Sequence, residues 1–159
     1  MLCGPAGSGK STWAAKHFLP TQIVSSDQCR ELISDDPADQ TVSAQAFELM
    51  HSIIALRIEL GRLTIADATS LERTHRRELI QISKKFHFNA VAIVFDVAAE
   101  TCFRRNADRE RKVPRQALLN QQVLLERTLR TINREGFDAV HILDEVSQSN
   151  VRIRIETLT

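Results

Sequence analysis

The octapeptide Gly4-Pro5-Ala6-Gly7-Ser8-Gly9-Lys10-Ser11 satisfies the pattern G-x-x-x-x-G-K-[ST]. Those residue types at that spacing suit a cradle for phosphate. Glycines let the backbone curl until successive N–H groups point inward at phosphate oxygens. A helix starting beside them adds the partial positive charge of its N-terminus. Lys10 would reach the β- and γ-phosphates, the Ser11 hydroxyl would ligate Mg²⁺, and Thr12 would add a hydroxyl near the α-phosphate. Gly4, Gly7, Ser8, Gly9, Lys10, Ser11 and Thr12 are therefore the candidate nucleotide-binding residues. A chance glycine-rich turn is the alternative, and the complete match between an apolar strand and a helix argues against it. The pattern implies a nucleoside triphosphate, ATP, with Mg²⁺, and leaves the phosphoryl acceptor open.

Three further groups could complete such chemistry. Ser25-Ser26-Asp27-Gln28-Cys29-Arg30 follows a short apolar segment. In an open parallel sheet, ligands lie beyond the C-terminal strand ends. A carboxylate at Asp27 could orient an acceptor hydroxyl and take its proton, and Asp27 equally suits a helix N-cap. Arg30, three residues on, would share its side of a helical turn and hold a phosphate. Asp67, ending Ile65-Ala66-Asp67, is the favoured carboxylate behind Mg²⁺, with Asp96 as its rival. The segment from Arg105 to Pro114 carries Arg105, Arg109, Arg111 and Lys112. Next to a phosphate cradle it reads as a lid whose guanidinium groups offset phosphoryl charge. Alone it would read as a solvated charge run.

The elements that must position these groups alternate. Strands are expected at Met1–Cys3, Gln22–Ser25, Leu63–Ala66, Ala90–Phe95 and Ala139–Leu143. Helices are expected from Lys10 to Phe18, over one or two turns from Asp27 to Ile33, and from Ser43 to Arg62. Others run from a Thr69–Glu72 capping box to Phe86, from Glu100 to Asp108, and from Pro114 to Arg134. Alternation of this kind implies an α/β domain with a five-stranded parallel sheet covered on both faces. We expect one domain over residues 1–148, with the lid around 104–114. Residues 149–159 form a tail, either an edge strand or a linker. The very short first strand leads us to expect a piece of a longer protein or a misplaced start codon.

Composition sets the outer limits. With 159 residues, 43% hydrophobic and 26% charged, the chain suits one folded domain rather than a disordered or fibrous protein. Its longest apolar run, Ala90 to Phe95, is far short of the roughly 20 residues that cross a bilayer. The net charge of +1 does not announce a nucleic-acid binder. Residues 31–50 hold Glu31, Asp35, Asp36, Asp39 and Glu48 and no cation, whereas residues 104–134 are strongly basic. Three cysteines without a C-x-x-C pair suggest neither disulfides nor zinc, and a reducing cytoplasm is the expected setting. The five histidines read as structural or surface residues, and Trp13 and Phe47 as packing.

The motifs GPAGSGKST, SSDxCR, xxDAT and RNxxRxRxVP together resemble the kinase module of bacterial polynucleotide kinase-phosphatase end-healing enzymes. More broadly they resemble the small P-loop kinases and ATPases grouped with them. The resemblance spans Met1 to about Asp144. It implies a P-loop NTPase fold with strand order 2-3-1-4-5. It implies catalytic roles for Lys10, Asp27, Arg30, Arg105 and Arg109. Asp27 would be the general base for a 5′-hydroxyl, Arg30 the acceptor-side arginine, and Arg105 and Arg109 the grip on the donor phosphates, with Arg111 as a third. The metal residues would be Ser11 and Asp67. The phosphatase and adenylyltransferase modules of that family are absent from these residues.

Three readings follow. The leading one is an ATP-dependent kinase of the 5′-hydroxyl end of DNA or RNA. The second is a kinase of the same fold for a small-molecule hydroxyl, a sugar or nucleoside, which the acidic stretch 31–50 suits better. The third is an ATP-binding switch or ATPase subunit with no acceptor, against which the Asp27/Arg30 pair argues.

Overall fold

The Val-Ala-Ile-Val-Phe run is β-branched and apolar, and in the computed structural model it becomes the central strand of a parallel sheet. The structure describes residues 1–154. In chain order the elements are β1 (Leu2–Cys3), α1 (Lys10–His17), β2 (Ile23–Ser25), α2 (Ser26–Ser34), α3 (Ser43–Glu59), β3 (Ile65–Asp67), α4 (Arg73–Lys85), β4 (Val91–Phe95), α5 (Ala99–Ala107), α6 (Arg115–Thr131), β5 (Ala139–Leu143) and α7 (Ser147–Asn150). Short 3₁₀ turns precede β2 and α3 and follow α6.

β4 pairs in parallel with β1 on one side and β5 on the other. β2 and β3 pair separately, Ser25 lying opposite Asp67. The expected single five-stranded sheet in the order 2-3-1-4-5 is therefore corrected to a three-stranded sheet, β1-β4-β5, and a two-stranded one, β2-β3. The reason lies in β1. Backbone groups along a strand point alternately to its two edges, so two residues cannot carry ladders on both sides. Beyond Cys3 the chain leaves for the glycine loop, and one bond, Gly4 N–H to the Thr69 carbonyl at 2.9 Å, joins it to the segment after β3. The apolar face nevertheless runs across the break. Leu2, Ile65, Phe95 and Leu143 share one cluster with Trp13 and Ala14 of α1. α6 covers the opposite face through Leu125, packed with Cys3, Ala92 and Val94. The α2–α3–α4 side is filled by Met50, Ile54, Ile58 and Leu79 against Val24 and Ala66.

Two local expectations are also corrected. The Thr69–Glu72 capping box does not form, because α4 starts at Arg73 behind Glu72 with no side-chain cap. Instead the Ser70 and Leu71 carbonyls accept hydrogen bonds from the buried Arg76 guanidinium, at 3.0 and 2.8 Å. Residues 151–154 of the tail form no strand, and the remainder of the edge-strand expectation lies outside the described residues. Among the described residues, no helix is long and apolar enough to cross a membrane.

Candidate functional site

The glycine loop leaves β1 and runs into α1 at the C-terminal end of the strands. Gly7 and Gly9 need their glycine freedom. Both have positive φ, 79° and 94°, and a Cβ on Gly7 would sit 2.5 Å from the Cys102 carbonyl oxygen. Gly7→Ala should therefore shift the loop off α5. The expected result is a destabilisation of about 1–3 kcal/mol in thermal unfolding, with weaker nucleotide binding. An unchanged melting curve and affinity would show that the loop accommodates the methyl group.

Lys10 is almost fully buried, and its Nζ donates to the Pro5 carbonyl at 2.8 Å, resting on its own loop. Burial pulls its pKa down to about 8, a shift that the nearby Asp67 carboxylate opposes. Asp67 is buried too, and that burial pushes its pKa up. A hydrogen bond from the Ser11 hydroxyl and the Lys10 charge act in the opposite sense. Ser11 and Asp67 are thus brought together as the sequence suggested. Asp96, exposed beyond β4, does not line the cleft.

The β2–β3 register carries Asp27 to the same end of the fold. The N-cap of α2 is Ser25, whose Oγ accepts the Asp27 N–H at 3.2 Å. The capping alternative for the Asp27 side chain is thereby removed. Its carboxylate receives Arg30 at 2.6 Å on Oδ1 and Arg111 at 3.1 Å on Oδ2. Arg30 is buried, and its Nε also reaches Ser43 Oγ at 3.4 Å.

The basic segment is shaped by Asn106. Its side-chain amide makes two 2.9 Å bonds with the Val113 backbone and pins the ends of the intervening loop together. Arg105 belongs to α5, with one guanidinium nitrogen 3.5 Å from the Gly7 carbonyl oxygen and the other 3.8 Å from Glu145. Arg109 acts electrostatically on Lys10 and Asp67. These two arginines face the phosphate loop. Arg111, expected as a third donor-side arginine, lines the same cleft and contacts the Asp27 carboxylate.

Lys10, Ser11, Asp27, Arg30, Asp67, Arg105, Arg109 and Arg111 line one cleft of about 1050 Å³. The cleft is also lined by Phe47, expected from the sequence as core packing, and His75, expected as a structural or surface residue. Phe47 of α3 and His75 of α4 stack on each other, 4.3 Å apart and inclined by 29°. They also line an adjoining hollow of about 460 Å³ with Glu48, His51, Ser52 and Glu78. Gln121 of α6 was missed as well; its Oε1 accepts the Ala6 N–H at 2.8 Å and holds the rim of the glycine loop. No short-range signal marks Gln121, because its partner lies 115 residues away.

A phosphate-type loop between β1 and α1, with a carboxylate-bearing β3 beside it, defines an α/β protein with a P-loop NTPase-like fold. A family profile described as "AAA domain" matches residues 1–128, and the chain belongs to that family. Among solved structures, the chain is similar to the Mycobacterium tuberculosis APS kinase CysC, determined in complex with AMPPNP and APS. The TM-score is 0.59 and the identity 16%, over 94% of this chain and 90% of that one.

Proposed function

We propose that this protein is an ATP-dependent kinase that phosphorylates the hydroxyl of a small molecule. The observation that carries the reading is the placement of Lys10 and Asp27, in the first turns of α1 and α2, in one cleft with Arg105 and Arg109. The glycine loop and Arg105 and Arg109 would hold the triphosphate. Lys10 would leave the Pro5 carbonyl for the β- and γ-phosphates. The acceptor hydroxyl would donate its hydrogen bond to Asp27. As its oxygen bonds to the γ-phosphorus, the bond to the β–γ bridging oxygen breaks, ADP departs, and Asp27 takes the proton. Arg30 would steady Asp27 and the incoming group.

The residues present fit Mg²⁺. Ser11 offers a hydroxyl backed by the buried Asp67 carboxylate, the hard-oxygen set that such an ion combines with substrate phosphates. Held there through Ser11, Mg²⁺ would offset negative charge on the donor phosphates.

The acceptor end favours a small molecule. Glu72 at the cleft and Glu48 and Glu78 at the adjoining hollow set carboxylates around the Phe47–His75 pair. A polynucleotide needs cations along its backbone, and carboxylates there repel it. The pair offers instead a ring-sized surface for a compact acceptor. The APS kinase likeness supports the same side of the choice, since that protein was solved with a small acceptor. The 5′-hydroxyl polynucleotide reading rests on the sequence motifs.

The test supplies γ-labelled ATP and Mg²⁺ with a panel of sugars, nucleosides and a 5′-hydroxyl oligonucleotide. Label should pass to a small compound, and Lys10→Ala should slow that transfer by about 10²–10³-fold. Label on the oligonucleotide alone would replace this acceptor with a nucleic-acid end. Release of free phosphate with no labelled product from any member would favour the ATPase reading.

A further inference from the structure

Both carboxylate oxygens of Asp27 are occupied by arginines, one from its own helix and one from the basic loop. Arg30, on the same helix, reaches Oδ1 at 2.6 Å. Arg111 reaches Oδ2 at 3.1 Å from 84 residues away, within the same cleft. The two contacts differ in how they are held. Arg30 is buried and has Ser43 as a second partner. The Arg111 side chain is one-third exposed, at 34%, and sits on a loop whose ends the Asn106 side chain pins together. The Asp27 side chain is 48% exposed, so the Arg111 ion pair is weak. It is also the contact that a polyphosphate would compete for, because Arg109, two residues earlier on the loop, lines the same cleft as Lys10 and Asp67.

We propose that Arg111 is a transferable strap between the two substrate sites. Without nucleotide it holds Asp27 Oδ2 and bars the acceptor hydroxyl from that oxygen. When the triphosphate fills the glycine loop, Arg111 leaves Asp27 for a phosphate oxygen. One movement then strengthens the grip on the donor and frees the proton acceptor. Donor binding thereby favours acceptor binding, by the free energy of the contact exchanged. The device rests on the kinase reading above and adds to it an order of assembly, donor before acceptor.

Breaking the strap opposes nucleotide binding in the intact protein, which makes the exchange measurable without any acceptor. The probe is AMPPNP with Mg²⁺, titrated by calorimetry into the full chain and into Asp27→Asn, Arg111→Gln and the double variant. Asp27→Asn should tighten AMPPNP binding, since Arg111 then starts unpaired. Part of any such gain is simply the removal of a negative charge, and the Arg111→Gln background measures that part alone. The expected result is a tightening at least threefold larger with Arg111 present than with Arg111→Gln, roughly what an ion pair of this exposure can supply. Equal effects in both backgrounds, or weaker binding by Asp27→Asn, would overturn the strap. Both side chains are partly exposed, so the variants should fold, and thermal unfolding verifies this. Arg111→Ala supplies a second background to which the same criterion applies. Failure of the intact protein to bind AMPPNP would instead count against the kinase reading, which separates the two failures.

Discussion

Asp27→Asn is expected to lower phosphoryl transfer by roughly 10²–10⁴-fold while leaving the fold in place and nucleotide binding no weaker, the loss typical of a removed general base. Asparagine keeps the shape and can still accept from Arg30, but it cannot take the acceptor's proton. The separation of roles is possible because the helix cap belongs to Ser25 Oγ, so changing the Asp27 side chain does not uncap α2. The deciding comparison is steady-state kcat on the best acceptor beside AMPPNP affinity and melting temperature. A large fall in kcat with an unchanged melting temperature and an affinity that is equal or tighter supports a base. An unchanged kcat would assign proton removal to another group and reduce Asp27 to an anchor for Arg30.

The second large effect concerns stability. Arg76→Ala should destabilise the protein by about 3–5 kcal/mol, the usual result of stranding a buried charge. Arg76 and Glu135 side chains are 2% and 3% exposed and meet through two bonds of 2.7 Å. The same guanidinium holds the Ser70 and Leu71 carbonyls and Thr128 Oγ1. Those carbonyls follow Thr69, which accepts the Gly4 N–H at the root of the phosphate loop. Loss of Arg76 should therefore weaken AMPPNP binding along with the fold. Removing Glu135 as well should recover part of the stability, because the uncompensated carboxylate goes with it.

The pH dependence of this pair has a definite sign. Burial works to raise the Glu135 pKa, but the Arg76 hydrogen bonds and charge prevail and hold it below the ordinary range. A carboxylate depressed in the folded state contributes stability above its unfolded pKa of about 4.3. That contribution is lost as pH falls through the folded value. The difference between intact protein and Arg76→Ala should accordingly be full at pH 7 and shrink below about pH 4 in chemical unfolding. A difference independent of pH would mean that Arg76 acts through the carbonyls alone.

The sequence by itself determined whatever depends on near neighbours along the chain. The Gly4–Ser11 cradle, the turn that sets Asp27 beside Arg30, and the strand-end position of Asp67 are each encoded within a few residues, where backbone preferences and spacing act directly. The alternation of strands and helices was legible for the same reason, through apolar periodicity. Only the tertiary structure decided which distant segments meet. It broke the sheet beside β1, because two residues cannot pair on both edges. It turned Phe47 and His75 from a packing residue and a surface residue into the wall of the cleft, since α3 and α4 approach there. It joined Arg76 to Glu135 across 59 residues and set Arg111 on Asp27 across 84. Charge at such separations has no sequence signature: an arginine in a basic run looks the same whether it will face a phosphate, a carboxylate or water, and only the packing of the elements that carry it chooses among them.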